Sequence, residues 1–266
     1  MLASGKIAQG SRCVRQDVWR LAGSLFLLLT AGVRAEPAAV VNETLNYSLR
    51  WGMVYAGNAC LSATPDAQRD GQSVVQCSLT VQSSAFVDRI YKVRDRMDSW
   101  LTPDLGHTLF YSQNQMEGRH RSVLDVSFDW VNSTAQRVKN AEAKEPLAIP
   151  AGTFDPLGAL FVLRRGAITV GDDITLSITD GKRCVLGQAH VLRREKVRTA
   201  AGEFDCLVVE PDLHDVKGVF EKSRDAKLHV WVTDDARHIP VKVASKVVIG
   251  YFTAELTSIQ PDKPAP

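Results

Sequence analysis

The sequence lacks the short motifs that mark most catalytic and metal sites. Its six histidines are scattered, and it contains no HExxH, GxSxG or CxxC motif and no Cys/His cluster. No local pattern therefore indicates a metalloprotease helix, a nucleophile elbow or a structural zinc site. We expect a protein that is not an enzyme, with no catalytic residues, no cofactor and no metal ligand.

Long apolar runs are also lacking, except near the N-terminus. Four basic residues precede the apolar run 21–32, and small residues follow it up to Ala35. This is the layout of a secretory signal peptide. The run is shorter than the ~20 residues that span a bilayer, and no cysteine follows it to carry a lipid. The sequence predicts a signal peptide over residues 1–35, cleavage after Ala35, and a periplasmic mature chain without a transmembrane segment.

An excess of basic charge is absent once that signal is removed. Residues 1–35 hold five basic residues and one acidic residue, so the net charge of +2 becomes −2. A chain of this charge has no net attraction to nucleic acid or to anionic lipid. Nucleic-acid partners are therefore not expected.

Cysteine is scarce, and four cysteines remain after the predicted cleavage: Cys60, Cys77, Cys184 and Cys206. In an oxidising compartment these can pair, and the sequence-local pairing joins Cys60 to Cys77 and Cys184 to Cys206. The alternative is four buried thiols that form no disulfide. Spacing alone does not decide between them.

The sequence does contain a repeated pattern of short alternating strands. The clearest example is the hairpin of residues 228–250, whose turn falls at 234–238. Further turns are marked by Asp70-Gly71, Asp180-Gly181 and Ala201-Gly202. Alternation with a period of two is typical of antiparallel strands. We predict a mainly β protein, a curved antiparallel sheet or incomplete β-barrel with one or two short helices packed on or in it.

Two segments interrupt the strand pattern. Residues 132–150 are polar, which predicts a long hairpin loop, and residues 260–266 are rich in proline, which predicts a disordered tail. Between the signal and the tail, residues 36–259 are expected to form a single β-rich domain.

One helix is clearly indicated. Asp155 suits an N-cap, Pro156 suits the first helical position, and Gly166 can end the helix. Four of its apolar residues are poorly suited to face water: Leu157, Leu160, Phe161 and Leu163. We expect this helix against a sheet face or in the mouth of a barrel, either as part of the core or as a gate that lines a ligand cavity.

The order of several segments resembles a known family. These segments are YKVRDRMDSW, GRHRSVLDVSFD, FDPLGALFVLR, AGEFDCLVVEP and WVTDDARHIPVKV. Together they resemble the DUF3108 family of bacterial exported proteins, from about Leu45 to Leu256. The family has no assigned activity, so the resemblance implies no catalytic residues. The strand Trp231–Asp234 is also similar to the closing strands of LolA-type and LolB-type lipoprotein carriers, which implies an incomplete β-barrel around helices with an apolar cavity.

Export, the β pattern and the apolar helix together favour a binding function. We expect a non-catalytic module that holds an apolar or lipid-like envelope component against the concave face of the sheet. The alternative is a structural or assembly partner of an envelope protein, with no small-molecule ligand. That partner would use a sheet edge or the charged strand near Arg94–Asp98, whose charges otherwise suit ion pairs across strands on a solvated face.

Overall fold

Alternating apolar residues place 67% of the described chain in β-strands. The structure is a computed structural model and describes residues 42–212, 227–247 and 250–261. These residues fall in one compact unit, Pro37–Pro266. The predicted signal peptide, its cleavage site after Ala35 and residues 262–266 of the predicted tail lie outside the described residues.

The described residues form one open, curved sheet of sixteen strands with two short helices. The first strands and helix are β1 (Glu43–Trp51), β2 (Val54–Arg69), β3 (Gln72–Ser83), α1 (Ala85–Asp88), β4 (Arg94–Leu101), β5 (Thr108–Glu117), β6 (His120–Asp129) and β7 (Thr134–Lys139). The remaining elements are β8 (Glu142–Ala143), β9 (Leu147–Ala148), β10 (Thr153–Phe154), α2 (Pro156–Arg165), β11 (Asp173–Thr179), β12 (Cys184–Thr199), β13 (Gly202–Pro211), β14 (Lys227–Thr233), β15 (Pro240–Val247) and β16 (Gly250–Pro261).

Two antiparallel meanders make this sheet. Strands β1 to β8 form one and strands β11 to β16 form the other, and the last strand pairs with the first from Glu43 opposite Pro261 to Trp51 opposite Phe252. Only the short β10–β11 pairing is parallel among the described pairs. The predicted fold class, a mainly β protein with an incomplete barrel, is confirmed.

The open edges of the sheet approach each other at the turn between β11 and β12. Arg137 of β7 donates from Nη1 to the backbone oxygen of Asp180 at 2.5 Å and to its Oδ2 at 3.0 Å. Gly181 has a φ of +77°, and an added Cβ would lie 2.9 Å from Cβ of Arg137. Glycine at this position therefore permits both the turn and its close approach to β7.

Alternate turns of an antiparallel meander lie at the same end of its strands. The turns β1–β2, β5–β6 and β15–β16 and the α1 connection between β3 and β4 share one end, which we call the rim end. The turns β2–β3, β4–β5, β6–β7, β12–β13 and β14–β15 share the other, which we call the far end.

The main core lies on the concave face, where α2 packs. Leu157 and Phe161 of the helix join a buried cluster that includes Leu45, Leu101 and Tyr111. The helix backbone comes so close to β4 that a Cβ on Gly158 would lie 3.1 Å from Cδ2 of Leu101. The helix thus fills the concave face toward the far end.

Several local predictions are confirmed and two are wrong. The hairpin at 228–250 forms as β14 and β15, and α2 begins and ends where its N-cap and Gly166 predict. The predicted loop 132–150 instead contributes β7, β8 and β9, since its short strands pair with β6 and with each other. The predicted tail also begins too early, because β16 continues to Pro261.

The predicted disulfides do not form, because strand register keeps the cysteines apart. None of the four is in a disulfide. Ala63 lies opposite Cys77 on the neighbouring strand. Cys60 is three residues from Ala63, about 10 Å along the same strand, and its side chain is on the other face of the sheet. Opposite Cys206 stands Glu195, eleven residues from Cys184, about 36 Å away. Both separations exceed the roughly 7 Å between Cα atoms that a bridge allows.

Candidate functional site

Asp155 anchors the start of α2 in the sheet. Its Oδ1 accepts hydrogen bonds from the backbone N–H groups of Leu157 and Gly158, each at 2.9 Å. Its Oδ2 accepts from the hydroxyls of Ser99 at 2.5 Å and Thr108 at 2.7 Å. Burial raises the pKa of this carboxyl, while these four donors lower it. The helix start is therefore bonded to β4 and β5.

A buried ion cluster anchors the other end of α2. Arg164 pairs with Glu43 at the start of β1, and Arg237 donates to the other oxygen of Glu43 at 2.5 Å. Nδ1 of His238 donates to the backbone oxygen of Arg164 at 3.0 Å. Both ends of α2 are therefore bonded to the sheet, and the helix packs as part of the core.

The four residues proposed to line a cavity lie at different depths. Leu157 and Phe161 are buried in the core, whereas Leu160 and Leu163 are half-buried. Leu160 packs against the edge of the same cluster. The structure therefore assigns Leu157 and Phe161 to packing, and an apolar binding surface must be sought beyond the helix.

Such a surface lies on the concave face between α2 and the rim end. The inward residues of β1 pass from buried Leu45 and Tyr47 to half-buried Leu49 and exposed Trp51. The inward positions of β3 and β4 follow the same gradient, with Leu79, Val81 and Met97 half-buried. We call the half-buried set the open half: Leu49, Leu79, Val81, Met97 and Ala254.

Polar side chains line one side of the open half. Strand register puts Asp95, Gln113, Gln115 and Glu117 on the inward face with Met97. Asp95 accepts the backbone N–H of Met116 at 2.8 Å. Burial and the adjacent Asp95 carboxyl raise the pKa of Glu117. Glu117 therefore holds its proton more readily than an isolated glutamate would.

An aromatic rim lies at the mouth of the open half, along β1, β2 and β16 and around α1. It consists of nine exposed apolar side chains at the rim end: Trp51, Met53, Val54, Tyr55, Phe86, Ile90, Tyr91, Tyr251 and Phe252. Trp51 stacks on Phe252 with ring centroids 5.9 Å apart. Ser84 bonds to the backbone of Ala56, which holds α1 beside the β1–β2 turn. The rim is thus continuous across neighbouring elements.

The charged strand β4 does not form the cross-strand ion pairs that its sequence suggests. Arg94 pairs with Asp88 of α1 at 2.6 Å, and Arg96 pairs with Asp98 two residues along the same strand. Asp95 points to the inward face instead. These pairs are local and partly exposed.

The acidic turn between β14 and β15 is explained by its own hydrogen bonds. Asp235 accepts from the Thr233 hydroxyl at 2.7 Å and from the Arg237 N–H at 2.9 Å, and Asp234 pairs with Arg194. Within residues 42–212, 227–247 and 250–261, no group of three or more His, Cys, Asp or Glu residues is placed to hold a metal ion. None of the helices in that part of the chain is long and apolar enough to cross a bilayer.

Sequence reasoning missed the open half and the aromatic rim. The signal for the rim was present, since Met53, Ile90 and Tyr251 lie in or beside turns, where polar residues are usual. The sequence contains no such signal for the open half, because its strands show the same alternating apolar pattern as strands that line a filled core. Only the position of α2 distinguishes the open half from the filled core.

The fold and this open concave face define a β-barrel-like protein. A β-barrel-like protein of the DUF1849 domain from Brucella abortus has a similar fold, with a TM-score of 0.57 and 10% identity over 85% of this chain and 99% of that one. The sequence matches the DUF3108 family, proteins of unknown function, over residues 46–257. The chain therefore belongs to the DUF3108 family.

Other comparisons are weaker. A protein with a YmcC-like fold from Bacteroides fragilis, provisionally described as exported, is 12% identical over 84% of this chain and 97% of its own, with a TM-score of 0.33. No curated protein matches the sequence. The comparisons thus establish the family and the fold.

Proposed function

We propose that this chain is an exported, periplasmic binding module that holds an apolar or lipid-like envelope component in the open half and performs no catalysis. One observation carries the proposal: apolar side chains of the interior, such as Leu79 and Met97, are only partly buried and lie between a filled core and an exposed aromatic rim. Covering such a surface with hydrocarbon is favourable by about 25 cal/mol per Å². Export rests on the signal-peptide pattern of residues 1–35.

The polar side of the open half restricts the ligand further. A ligand carboxylate beside Asp95 and Glu117 would add a third acidic group next to Glu117, whose pKa burial and the Asp95 carboxyl already raise. Gln113 and Gln115 supply amide donors and acceptors instead. The lining therefore favours a hydrocarbon chain whose polar group is neutral or cationic.

A fluorescent aliphatic amine titrated into delipidated protein tests this proposal. Saturable binding, and displacement by a long-chain alcohol, are the expected results. A fatty acid of equal chain length should bind more weakly at neutral pH and gain affinity as the pH falls. If none of the three compounds shows saturable binding, the proposed function is wrong.

Two neighbouring residues of β3 provide a matched pair of variants. Leu79 faces the open half and Thr80 faces outward on the same strand. Leu79→Glu should abolish probe binding, whereas Thr80→Glu should retain it. Thermal melts of both variants separate loss of binding from loss of fold. Equal probe affinity in the two variants would place the ligand elsewhere.

A further inference from the structure

Within the described residues, the segments of the aromatic rim and the turns of the far end carry opposite net charge. The segments that form the aromatic rim hold seven basic and two acidic residues, a net charge of +5; they are 50–55, 84–94, 117–121, 246–247 and 250–252. The turns at the far end hold two basic and five acidic residues, a net charge of −3; they are 69–72, 101–108, 129–134, 199–202 and 233–240. The fold thus separates charges that the sequence mixes.

This separation changes the conclusion drawn from net charge. Residues 36–266 carry a net charge of −2, which disfavours attraction to anionic lipid if that charge is spread evenly over the surface. In physiological salt, however, a surface responds mainly to charges within the Debye length of about 8 Å. A flat anionic surface that meets the rim end therefore meets positive charge first.

The apolar side chains of the rim have the composition of a bilayer interface. Met53 is 94% exposed, Ile90 80% and Phe86 62%. A contiguous apolar patch of this kind on a folded protein marks an interaction surface. Trp51 and Tyr91 add aromatic rings with a polar atom, and such rings are enriched at the level of lipid headgroups.

Exposed cations lie beside these apolar residues. Arg89 and Lys92 flank Ile90, Arg119 lies in the adjacent β5–β6 turn, and Lys246 precedes the β15–β16 turn. All four side chains are exposed, whereas Arg94 of the same end is paired with Asp88. Within the part of the chain that the structure describes, these four exposed cations have no ion-pair partner.

We propose that the aromatic rim docks onto a bilayer surface that contains anionic lipids, with the side chains of Met53, Phe86 and Ile90 entering the headgroup region and the adjacent cations contacting lipid phosphates. Charge complementarity selects this occupant over a second copy, whose rim would be equally positive. Docking goes beyond ligand binding and does not require it. It would turn the mouth of the open half toward the membrane.

Sedimentation of the purified protein with lipid vesicles tests the docking. We expect saturable binding to phosphatidylcholine vesicles that contain phosphatidylglycerol, binding that weakens with added salt, and little binding to phosphatidylcholine alone. Binding of equal strength to both vesicle types, or to neither, would overturn the proposal.

Surface variants connect the binding to the rim. Met53→Ser with Ile90→Ser should weaken binding to the anionic vesicles at least tenfold. Lys92→Gln with Arg119→Gln should weaken it by about fivefold per residue, or roughly 25-fold in total. Val131→Ser and Arg198→Gln are matched controls, because Val131 is 94% exposed at the far end and Arg198 is exposed near the β12–β13 turn. Equal losses in the controls would contradict docking through the rim.

Two further measurements separate this proposal from its competitors. The first is analytical ultracentrifugation. If the protein forms a dimer that the double variant Met53→Ser with Ile90→Ser abolishes, and if it does not bind vesicles, the rim is an interface with a second copy. Crosslinking of the rim to one envelope protein, again without vesicle binding, would assign it to that partner. Leu79→Glu should lose the probe but keep vesicle binding, so failure of ligand binding and failure of docking are distinguishable.

Discussion

Identical chemical groups acquire different protonation equilibria at different places in this sheet. Glu117 lies on the inward face beside Asp95, and burial together with that neighbour raises its pKa. Asp129 ends β6 in a turn, where the Asn132 side chain and the N–H groups of Asn132 and Val131 lower its pKa. Burial likewise raises the pKa of the Cys206 thiol to about 12, so this cysteine is not a thiolate at neutral pH.

These two carboxyls should give opposite pH dependences of stability. The pKa of Glu117 is higher in the folded protein than in the unfolded chain, where it is near 4.5. Its contribution to stability is therefore complete below pH 4.5 and is lost as the pH rises through the folded pKa. Glu117→Gln should melt a few degrees above wild type at pH 7 and equal it near pH 4.

The pKa of Asp129 is lower in the folded protein, so its contribution to stability is present at pH 7. Asp129→Asn should melt below wild type at pH 7, and the difference should disappear as the pH falls below 3.8. Thermal melts across pH 3–8 check both, and a Glu117→Gln variant less stable than wild type at pH 7 would contradict the first.

The helix α2 owes its stability to the sheet around it. An isolated helix of ten residues is marginal in water. Here Asp155 bonds its first turn to β4 and β5, and the Glu43–Arg164 pair bonds its last turn to β1. Both attachments lie toward the far end of the strands, so the helix runs across them and leaves the rim half of the concave face uncovered.

Removing the Asp155 carboxyl should be among the most destabilising single changes in the helix. Asp155→Ala deletes the N-cap and leaves two backbone donors and two hydroxyls without their acceptor, which we expect to cost about 3 kcal/mol of unfolding free energy. Asp155→Asn should cost less, since an amide oxygen still accepts from Leu157 and Gly158. Asp172→Ala is the control, because Asp172 accepts from Thr169 in a turn near the surface and should cost about 1 kcal/mol or less. Urea denaturation measures all three, and equal costs for Asp155→Ala and Asp172→Ala would contradict the assigned role.

As a whole, the molecule is a sheet that curves toward a barrel without closing. Sheet edges with unpaired backbone groups are sites of opening and aggregation. This sheet has very short strands β8 and β10 at its ends, and Arg137 bonds across the gap to the Asp180 turn. Backbone ladders hold the strands together along the sheet, and at the gap the bonds from Arg137 to Asp180 join its two sides.

Loss of the Arg137 bond should loosen the gap without unfolding the sheet. In Arg137→Met, amide hydrogen exchange should accelerate in residues 179–184 and in β7, while β1 to β4 exchange at the wild-type rate. Lys139→Met serves as the control on the same strand and should leave the 179–184 turn unchanged. Uniform acceleration throughout the sheet would mean that Arg137 supports global stability instead.

Much of the local structure could be predicted because it depends on neighbours in sequence. The α2 boundaries follow from Asp155, Pro156 and Gly166, and the Gly71 and Gly181 turns follow from backbone conformations that glycine tolerates, with φ of +77° at each. The predictions of disulfides and of a loop over residues 132–150 were wrong, because both features depend on the register between strands. Register is set by pairing partners that a single strand does not reveal.

The sequence by itself determined the β class, the helix and its caps, and the turns, since each depends on residue type and on contacts a few positions apart. Only the tertiary structure decided which apolar residues are covered. Leu45 and Leu49 occupy equivalent alternating positions on β1, yet the first is buried under α2 and the second lies in the open half. Curvature also gathered scattered turns into a basic, aromatic rim. Burial and charge density are properties of what comes together in space, and long-range strand pairing makes that choice here.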